Sequence, residues 1–274
     1  MIQEYENYLR AIKGYSENTI RAYCADLRSF AQWARENTEL GRWRDVTREM
    51  VDNYLIFQQA RGLSAATTNR HLAAISGLFR YFQRQGYEVN NPCKYESRRK
   101  TAQTIPGTIP PGQIIKAYKH AKGLSKTMLG ILATTGIRIQ ELLDLQWEDI
   151  DFTSSTLKIR GKGSKERLVT TEPAVLTQLQ QVKNTLRPQG RMFYVSQRKA
   201  RYMIYETLKP YGNCTHLTPH AIRHTFATYL AKNGENVATI AKILGHAHIE
   251  TSQKYINMAE ITKAHQGISL TQNN

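Results

Sequence analysis

Apolar side chains recur at three- and four-residue intervals through the first part of the chain, the period of a helix packed on one side. Ile20, Tyr23, Leu27 and Phe30 share one face of a segment that Ser16 can cap and that runs to about Glu36. Thr47 can cap the next segment, with Val51, Tyr54, Leu55 and Gln58 following and Gly62 closing it. Ser64 opens a third, whose stripe is Leu72, Ile75, Leu78, Phe79 and Phe82 and whose stop is Gly86. With residues 2–12 these segments predict a four-helix domain, and the stripes are its core rather than a cofactor site.

The pattern then breaks. From Asn90 to Pro111 the chain holds four of its eight prolines, Pro92, Pro106, Pro110 and Pro111, and the basic run Arg98-Arg99-Lys100. Proline fixes φ and removes a donor, so this stretch reads as an extended linker. Beyond it, helical periods return at Gln113–His120, at Ser125–Thr135 with Gly136 as its stop, and over Ile139–Leu145. Thr156–Arg160 and Glu166–Thr170 alternate instead, like strands, and Gly161-Lys-Gly-Ser-Lys165 joins them as the tip of a β-hairpin. Helices are expected again at Pro173–Leu186, Ser196–Leu208, Pro219–Asn233, Val237–Leu244 and about Thr251–Ala259. The expected fold is mainly α with a small β-sheet. It comprises a helical domain over 1–97, a basic linker over 98–110 and an α+β domain over 111–274.

Length and composition restrict the function. The 274 residues suffice for one large or two small domains at roughly 100–200 residues each. The formal charge is +16, with 16 basic against 11 acidic residues in the first hundred and 22 against 11 in the rest. A basic surface on both parts points to a polyanion gripped from two sides. Runs such as Met128–Ala133 fall far short of the ~20 apolar residues that span a bilayer, and Met1–Arg10 is polar and acidic, unlike a targeting peptide. No membrane association is expected. Cys24, Cys93 and Cys214 form no CxxC pair, so they give neither a disulfide framework nor a zinc site, and a reducing cytoplasm is the simplest compartment.

The candidate chemistry lies in the second part. Thr218 is a good N-cap and Pro219 suits the first helical position. His220 and Arg223 then share a face near the positive end of a helix, an arrangement that suits a phosphate. The alternative is a partly buried histidine beside a solvent-paired arginine, and His224 reads as a packing residue. Arg138 follows the helix-ending Gly136, and Glu141, three residues on, could simply pair with it at the surface. Lys162 sits at the hairpin tip and by itself reads as a solvated lysine. His246 follows a helix-terminating glycine and could be a partner of the helix dipole. Tyr255 is one of 15 tyrosines, and His248 reads as surface.

Taken in order, Arg138, Lys162, His220, Arg223, His246 and Tyr255 resemble the active-site series of the tyrosine recombinase (phage integrase) family. The surrounding segments fit too: Thr135-Gly-Ile-Arg-Ile-Gln-Glu-Leu142, Gly161-Lys-Gly-Ser-Lys-Glu-Arg-Leu-Val169, His220-Ala-Ile-Arg-His-Thr-Phe-Ala-Thr228 and Leu244-Gly-His246. Tyr15-Ser-Glu-Asn-Thr-Ile-Arg-Ala-Tyr-Cys-Ala-Asp-Leu27 is similar to the family's core-binding domain, so the resemblance covers nearly the whole chain. Ile137 and Ile222 stand where leucine is common, and neither change touches the chemistry. The resemblance is to compact, Xer-like two-domain members.

The resemblance implies a SAM-like core-binding domain followed by a catalytic domain that breaks and rejoins DNA. The phenolic oxygen of Tyr255 would attack a phosphodiester, forming a 3′-phosphotyrosyl bond and releasing a 5′-hydroxyl. Arg138 and Arg223 would clamp the non-bridging oxygens, His246 would donate a further hydrogen bond, and His220 would serve as hydrogen-bonding group and base toward Tyr255. Lys162 would protonate the leaving oxygen. Neither a metal nor a cofactor is implied, because two arginines supply the charge that divalent cations give in nucleases. The implied partners are double-stranded DNA with paired core sites and a homo-tetramer on that DNA, monomeric or dimeric when free, with Ile256–Asn274 as the candidate contact between protomers. With no residues ahead of Met1 for an arm-site domain, simple core sites are expected. The chemistry serves integration, excision or resolution of a mobile element, plasmid or chromosome dimer. The rivals are a type IB topoisomerase-like relaxing enzyme and a non-catalytic DNA-binding regulator.

Overall fold

A computed structural model describes residues 1–94, 107–161, 166–186, 189–212 and 216–245. The chain divides into two compact units, Met1–Thr104 and Ile105–Asn274. Among its described residues the first has four α-helices, α1 (Ile2–Ala11), α2 (Glu17–Asn37), α3 (Arg48–Ala60) and α4 (Ala65–Arg84). The expected caps are in place: the side-chain oxygens of Ser16, Thr47 and Ser64 accept from the backbone N–H of Thr19, Met50 and Thr67 at 3.2–3.3 Å. Each such cap is worth about 1 kcal/mol. Ile20, Leu27, Phe30, Val51, Tyr54, Ile75, Leu78 and Phe79 form the centre of the core, while Tyr23 lies at its edge.

A polar chain also crosses this core. Buried Asp26 accepts from Arg70 Nε and Nη2 at 2.8 and 3.0 Å, and lies 3.2 Å from His71 Nε2. The other ring nitrogen of His71 is 2.8 Å from the Tyr54 hydroxyl, which reaches Ser29 at 2.9 Å. The hydrophobic stripes included Tyr54 but left out Ser29, Asp26, Arg70 and His71.

The second unit is built from α5 (Pro111–His120), α6 (Gly123–Thr135), α7 (Ile139–Leu143), α8 (Pro173–Leu186), α9 (Gln197–Leu208), α10 (Pro219–Lys232) and α11 (Val237–Leu244), with a three-stranded sheet between α7 and α8. Its strands are β1 (Ile150–Asp151), β2 (Thr156–Arg160) and β3 (Glu166–Thr170), in the order β1-β2-β3 and all antiparallel. The two-residue β1 was not expected, since so short a segment carries no alternation. Leu157 pairs with Val169 and Ile159 with Arg167, which places these four side chains on the core-facing side of the sheet. Leu168 faces outward and is 68% exposed. Ile114, Met128, Ile131, Leu157, Ile204, Leu208 and Ile222 pack into one core. Thr225 on α10 ties in the segment before α5, its hydroxyl accepting from Ile109 N at 2.8 Å. The helix expected over Thr251–Ala259 lies outside the described residues. No helix among the described residues is long and apolar enough to cross a membrane.

Candidate active site

The site is assembled where three chain reversals meet. The first is the end of α6. Gly136 has φ 62°, a left-handed conformation that L side chains rarely adopt, and a Cβ there would lie 2.3 Å from Phe226 Cδ1. The chain leaves this turn so that Arg138 becomes the N-cap of α7. Glu141, one turn into α7, closes back on it: Oε2 accepts from Arg138 N at 2.8 Å and Oε1 from Arg138 Nη1 at 3.0 Å. The arginine is half exposed and the carboxylate is buried. The pair the sequence suggested therefore forms, with one partner inside the protein rather than at its surface.

The second reversal is the start of α10. Thr218 Oγ1 accepts from Ala221 N at 3.1 Å, and Pro219 occupies the first helical position. His220 is exposed, whereas Arg223 is 2% exposed. The alternative of a partly buried histidine beside a solvent-paired arginine is thus inverted. Arg223 Nη1 donates to the carbonyl of Gly136 and Nη2 to that of Leu244, both at 2.7 Å. Its planar fork bridges two turns that a lysine could not span. The rings of His220 and buried His224 meet edge to face with centroids 4.2 Å apart, consistent with a packing role for His224.

The third reversal ends α11. Asn236 caps its start by accepting from Thr239 N at 2.8 Å, and Gly245, at φ 64°, closes its end. Three successive carbonyls at this end each accept from a different arginine. Ile243 O receives Arg167 Nε at 2.8 Å, Leu244 O receives Arg223 Nη2, and Gly245 O receives Arg138 Nη2 at 3.3 Å. Cations at the negative end of a helix dipole are favourable, and these donors satisfy carbonyls that a helix end otherwise leaves to water. Arg167 also grips Glu141, with Nη1–Oε1 at 3.1 Å and Nη2–Oε2 at 2.8 Å. Burial pushes the Glu141 carboxyl upward, but hydrogen bonds from Arg167 and from the Arg138 N–H outweigh it and hold its pKa below the ordinary carboxylate value.

Arg138, His220 and Arg223 line one cleft of about 700 Å³, together with Thr218 and Pro219 and with Arg201, Tyr202 and Tyr205 from α9. Guanidinium groups, an imidazole and the N-terminal end of α10 facing one cleft suit an anionic phosphate ester. Lys162, His246 and Tyr255 lie outside the described residues. In the sequence, Lys162 falls between β2 and β3, and His246 directly follows Gly245. Sequence reasoning missed Arg167 and the α9 wall. The signal for Arg167 was its phase: it shares a face with buried Val169 and alternates with exposed Leu168.

The Phage integrase family matches residues 112–261, and the family's N-terminal SAM-like domain matches residues 2–86. Among curated proteins, tyrosine recombinase XerD of Oceanobacillus iheyensis is 28% identical over 282 residues, covering 96% of this chain and 94% of that protein. XerD of Staphylococcus epidermidis strain RP62A is 29% identical over 281 residues, covering 95% and 94%. Among solved structures, the XerH site-specific recombinase bound to palindromic difH substrate in a post-cleavage complex superposes with TM-score 0.78 at 20% identity, covering 95% of this chain and 82% of that one. A lambda integrase dimer bound to a COC′ core site superposes with TM-score 0.73 at 16% identity, covering 98% and 79%. The two helical and mixed units thus share the architecture of these recombinases, and with its catalytic part matched over more than half its length the chain belongs to the phage integrase family, that of the tyrosine recombinases.

Proposed function

We propose that the chain is a site-specific DNA recombinase that cuts and reseals strands through a phosphotyrosine. The observation that carries this reading is the convergence of Arg138, Arg223 and His220 on one cleft, with both guanidinium groups oriented by the end of the helix that leads to His246. Tyr255 supplies the attacking oxygen. Its phenolic proton passes to His220, the O–P bond forms, and the bond to the 5′-oxygen breaks as Lys162 gives that oxygen a proton. Charge gathering on the non-bridging oxygens is met by Arg138 and Arg223, with His246 adding a hydrogen bond. Because the phosphotyrosyl ester keeps the bond energy, a 5′-hydroxyl from a second strand can attack it and complete the exchange.

Each unit contributes basic surface for the DNA backbone, and the segment 98–110 links the domains 1–97 and 111–274. Half-buried Gln197 and exposed Arg201, which line the cleft from the start of α9, and exposed Arg198 between them in sequence are candidates to meet base edges near the cut. Strand exchange between two duplexes calls for paired core sites and four protomers, with Ile256–Asn274 coupling neighbours. The reaction belongs to DNA in the cytoplasm and serves a mobile element, a plasmid or a chromosome dimer.

The test is covalent capture. The purified chain is incubated in EDTA with nicked duplexes tiled across the DNA that flanks its own coding region. The expected result is a protein–DNA adduct at one sequence, lost with Tyr255→Phe while DNA binding remains. An adduct that persists in that variant relocates the nucleophile, and a strict need for Mg²⁺ overturns the mechanism.

A further inference from the structure

Three arginines meet the end of α11, but only two of them belong to the phosphate clamp proposed above. The third, Arg167, is 12% exposed on its side chain and projects from the core-facing side of β3. A charge in that position is strongly destabilising unless its hydrogen bonds are complete, so a side chain held there has definite partners. All three of its nitrogens are engaged: Nε with Ile243 O, Nη1 and Nη2 with the two oxygens of Glu141. Glu141 in turn holds both the backbone and the guanidinium of Arg138. A Cβ on Gly245 would lie 2.9 Å from Arg167 Nη1, so the turn after α11 runs directly over this guanidinium.

We infer that Arg167 is a positioning residue for the reaction: it fixes Glu141 against the end of α11 and thereby sets the angle at which Arg138 meets the phosphate. The inference rests on the proposed recombinase reading. Arg138 is half exposed and lines the cleft, and among the described residues its guanidinium donates to Glu141 and to Gly245 O. Its direction is therefore set from behind, by Glu141 and Gly245 O. Glu141 without Arg167 would keep one arginine and lose the other two donors, leaving a buried carboxylate under-satisfied and free to re-aim its remaining partner. The same guanidinium ties the strand that follows Lys162 in sequence to the helix that precedes His246. A lysine would preserve the charge, but its three donors radiate from a single nitrogen and could not meet both Glu141 oxygens as a planar fork while also reaching Ile243 O.

The test separates positioning from folding. Single-turnover cleavage at saturating DNA is measured for the unaltered chain, Arg167→Lys, Glu141→Gln and the double variant, on a nicked duplex of the site mapped by covalent capture. Each substrate is made twice, all-phosphate and with a methylphosphonate at the scissile position. The methylphosphonate removes one non-bridging negative charge, so its cleavage depends less on a well-aimed arginine. Arg167→Lys is expected to cleave the phosphate ~10²-fold more slowly, a size typical for losing one oriented donor. On the methylphosphonate the deficit shrinks at least ~10-fold, and Glu141→Gln shows the same pattern without adding to Arg167→Lys in the double variant. Equal deficits on both substrates, additive effects, or cleavage by Arg167→Lys within ~3-fold of the unaltered chain would overturn the inference while leaving the recombinase reading intact. If the unaltered chain forms no adduct, the proposed function falls and this inference falls with it. Should Arg167→Lys fail to fold, the substrate dependence of Glu141→Gln decides alone.

Discussion

Asp26 in the first unit and Glu141 in the second are both buried carboxylates gripped by arginine, yet their networks do different work. Asp26 ends a chain of side chains, from Arg70 and His71 to Tyr54 and Ser29, that closes among the helices α2, α3 and α4. It fixes how three helices meet. Glu141 sits between two arginines whose remaining donors run to the backbone of another element, and one of those arginines opens on the cleft. A buried charge wired to side chains of its own bundle specifies packing. On the reading proposed above, a buried charge wired through guanidinium groups to a helix end sets the aim of a side chain in the cleft. Bonds to charged groups are worth about twice neutral ones, so both networks are stiff, and only the second is stiff where chemistry is expected.

The contrast is broken most severely at the cleft itself. Arg223→Lys removes a fork that bridges Gly136 and Leu244, and covalent cleavage should fall by ~10²–10³-fold with DNA binding retained, as measured by single-turnover adduct formation and gel shift. Undiminished cleavage would place Arg223 outside the transition-state clamp. Asp26→Ala should do the opposite. It strands Arg70 and His71, lowering the stability of the first unit by about 3 kcal/mol in urea titrations followed by Trp33 and Trp43 fluorescence, while cleavage at saturating DNA stays within ~2-fold. If cleavage falls as far as stability, the two networks are not separable.

Acid sharpens the same contrast. Burial pushes the His71 imidazole below its ordinary value of 6.5, only partly opposed by Asp26. The unfolded chain binds that proton more readily, so the stability His71 contributes is present above pH 6.5 and declines as pH falls toward its lowered folded value. The Glu141 carboxyl is held below 4.5, so its contribution is lost only on further acidification, as pH falls below that value and through the lowered one. Acid unfolding is therefore expected in two steps, the Trp33 and Trp43 signal changing before that of Trp147. A single coincident transition would refute the ordering. The smallest effect is at the caps: Ser64→Ala should cost about 1 kcal/mol in the first unit and leave the second untouched, read by thermal melting.

Much of the scaffold was legible because its signals are local. Three caps and three apolar stripes marked α2, α3 and α4, and glycines 136 and 245 marked two of the turns around the cleft. Arg138, His220 and Arg223 of the cleft could be picked from their order along the chain. What escaped were polar residues whose partners are far away in sequence. Arg167 meets Ile243 across 76 positions, and Asp26 meets Arg70 across 44. No periodicity announces such pairs, and an in-phase charge on a short strand reads as solvent-facing until the sheet is assembled. Glu141 was noticed only as a neighbour of Arg138, since its burial depends on Arg167 coming from β3.

Gly136 offers a practical lever. Its missing side chain is the gap into which the Phe226 ring of α10 fits, with no slack for even one carbon. Gly136→Ala would thus wedge the two helices apart without removing any polar group from the cleft. Such a wedge is tolerated when the protein has stability to spare and not when warmed, which makes this position a rational choice for a temperature-sensitive allele that holds the enzyme off in a growing culture until cooling releases it.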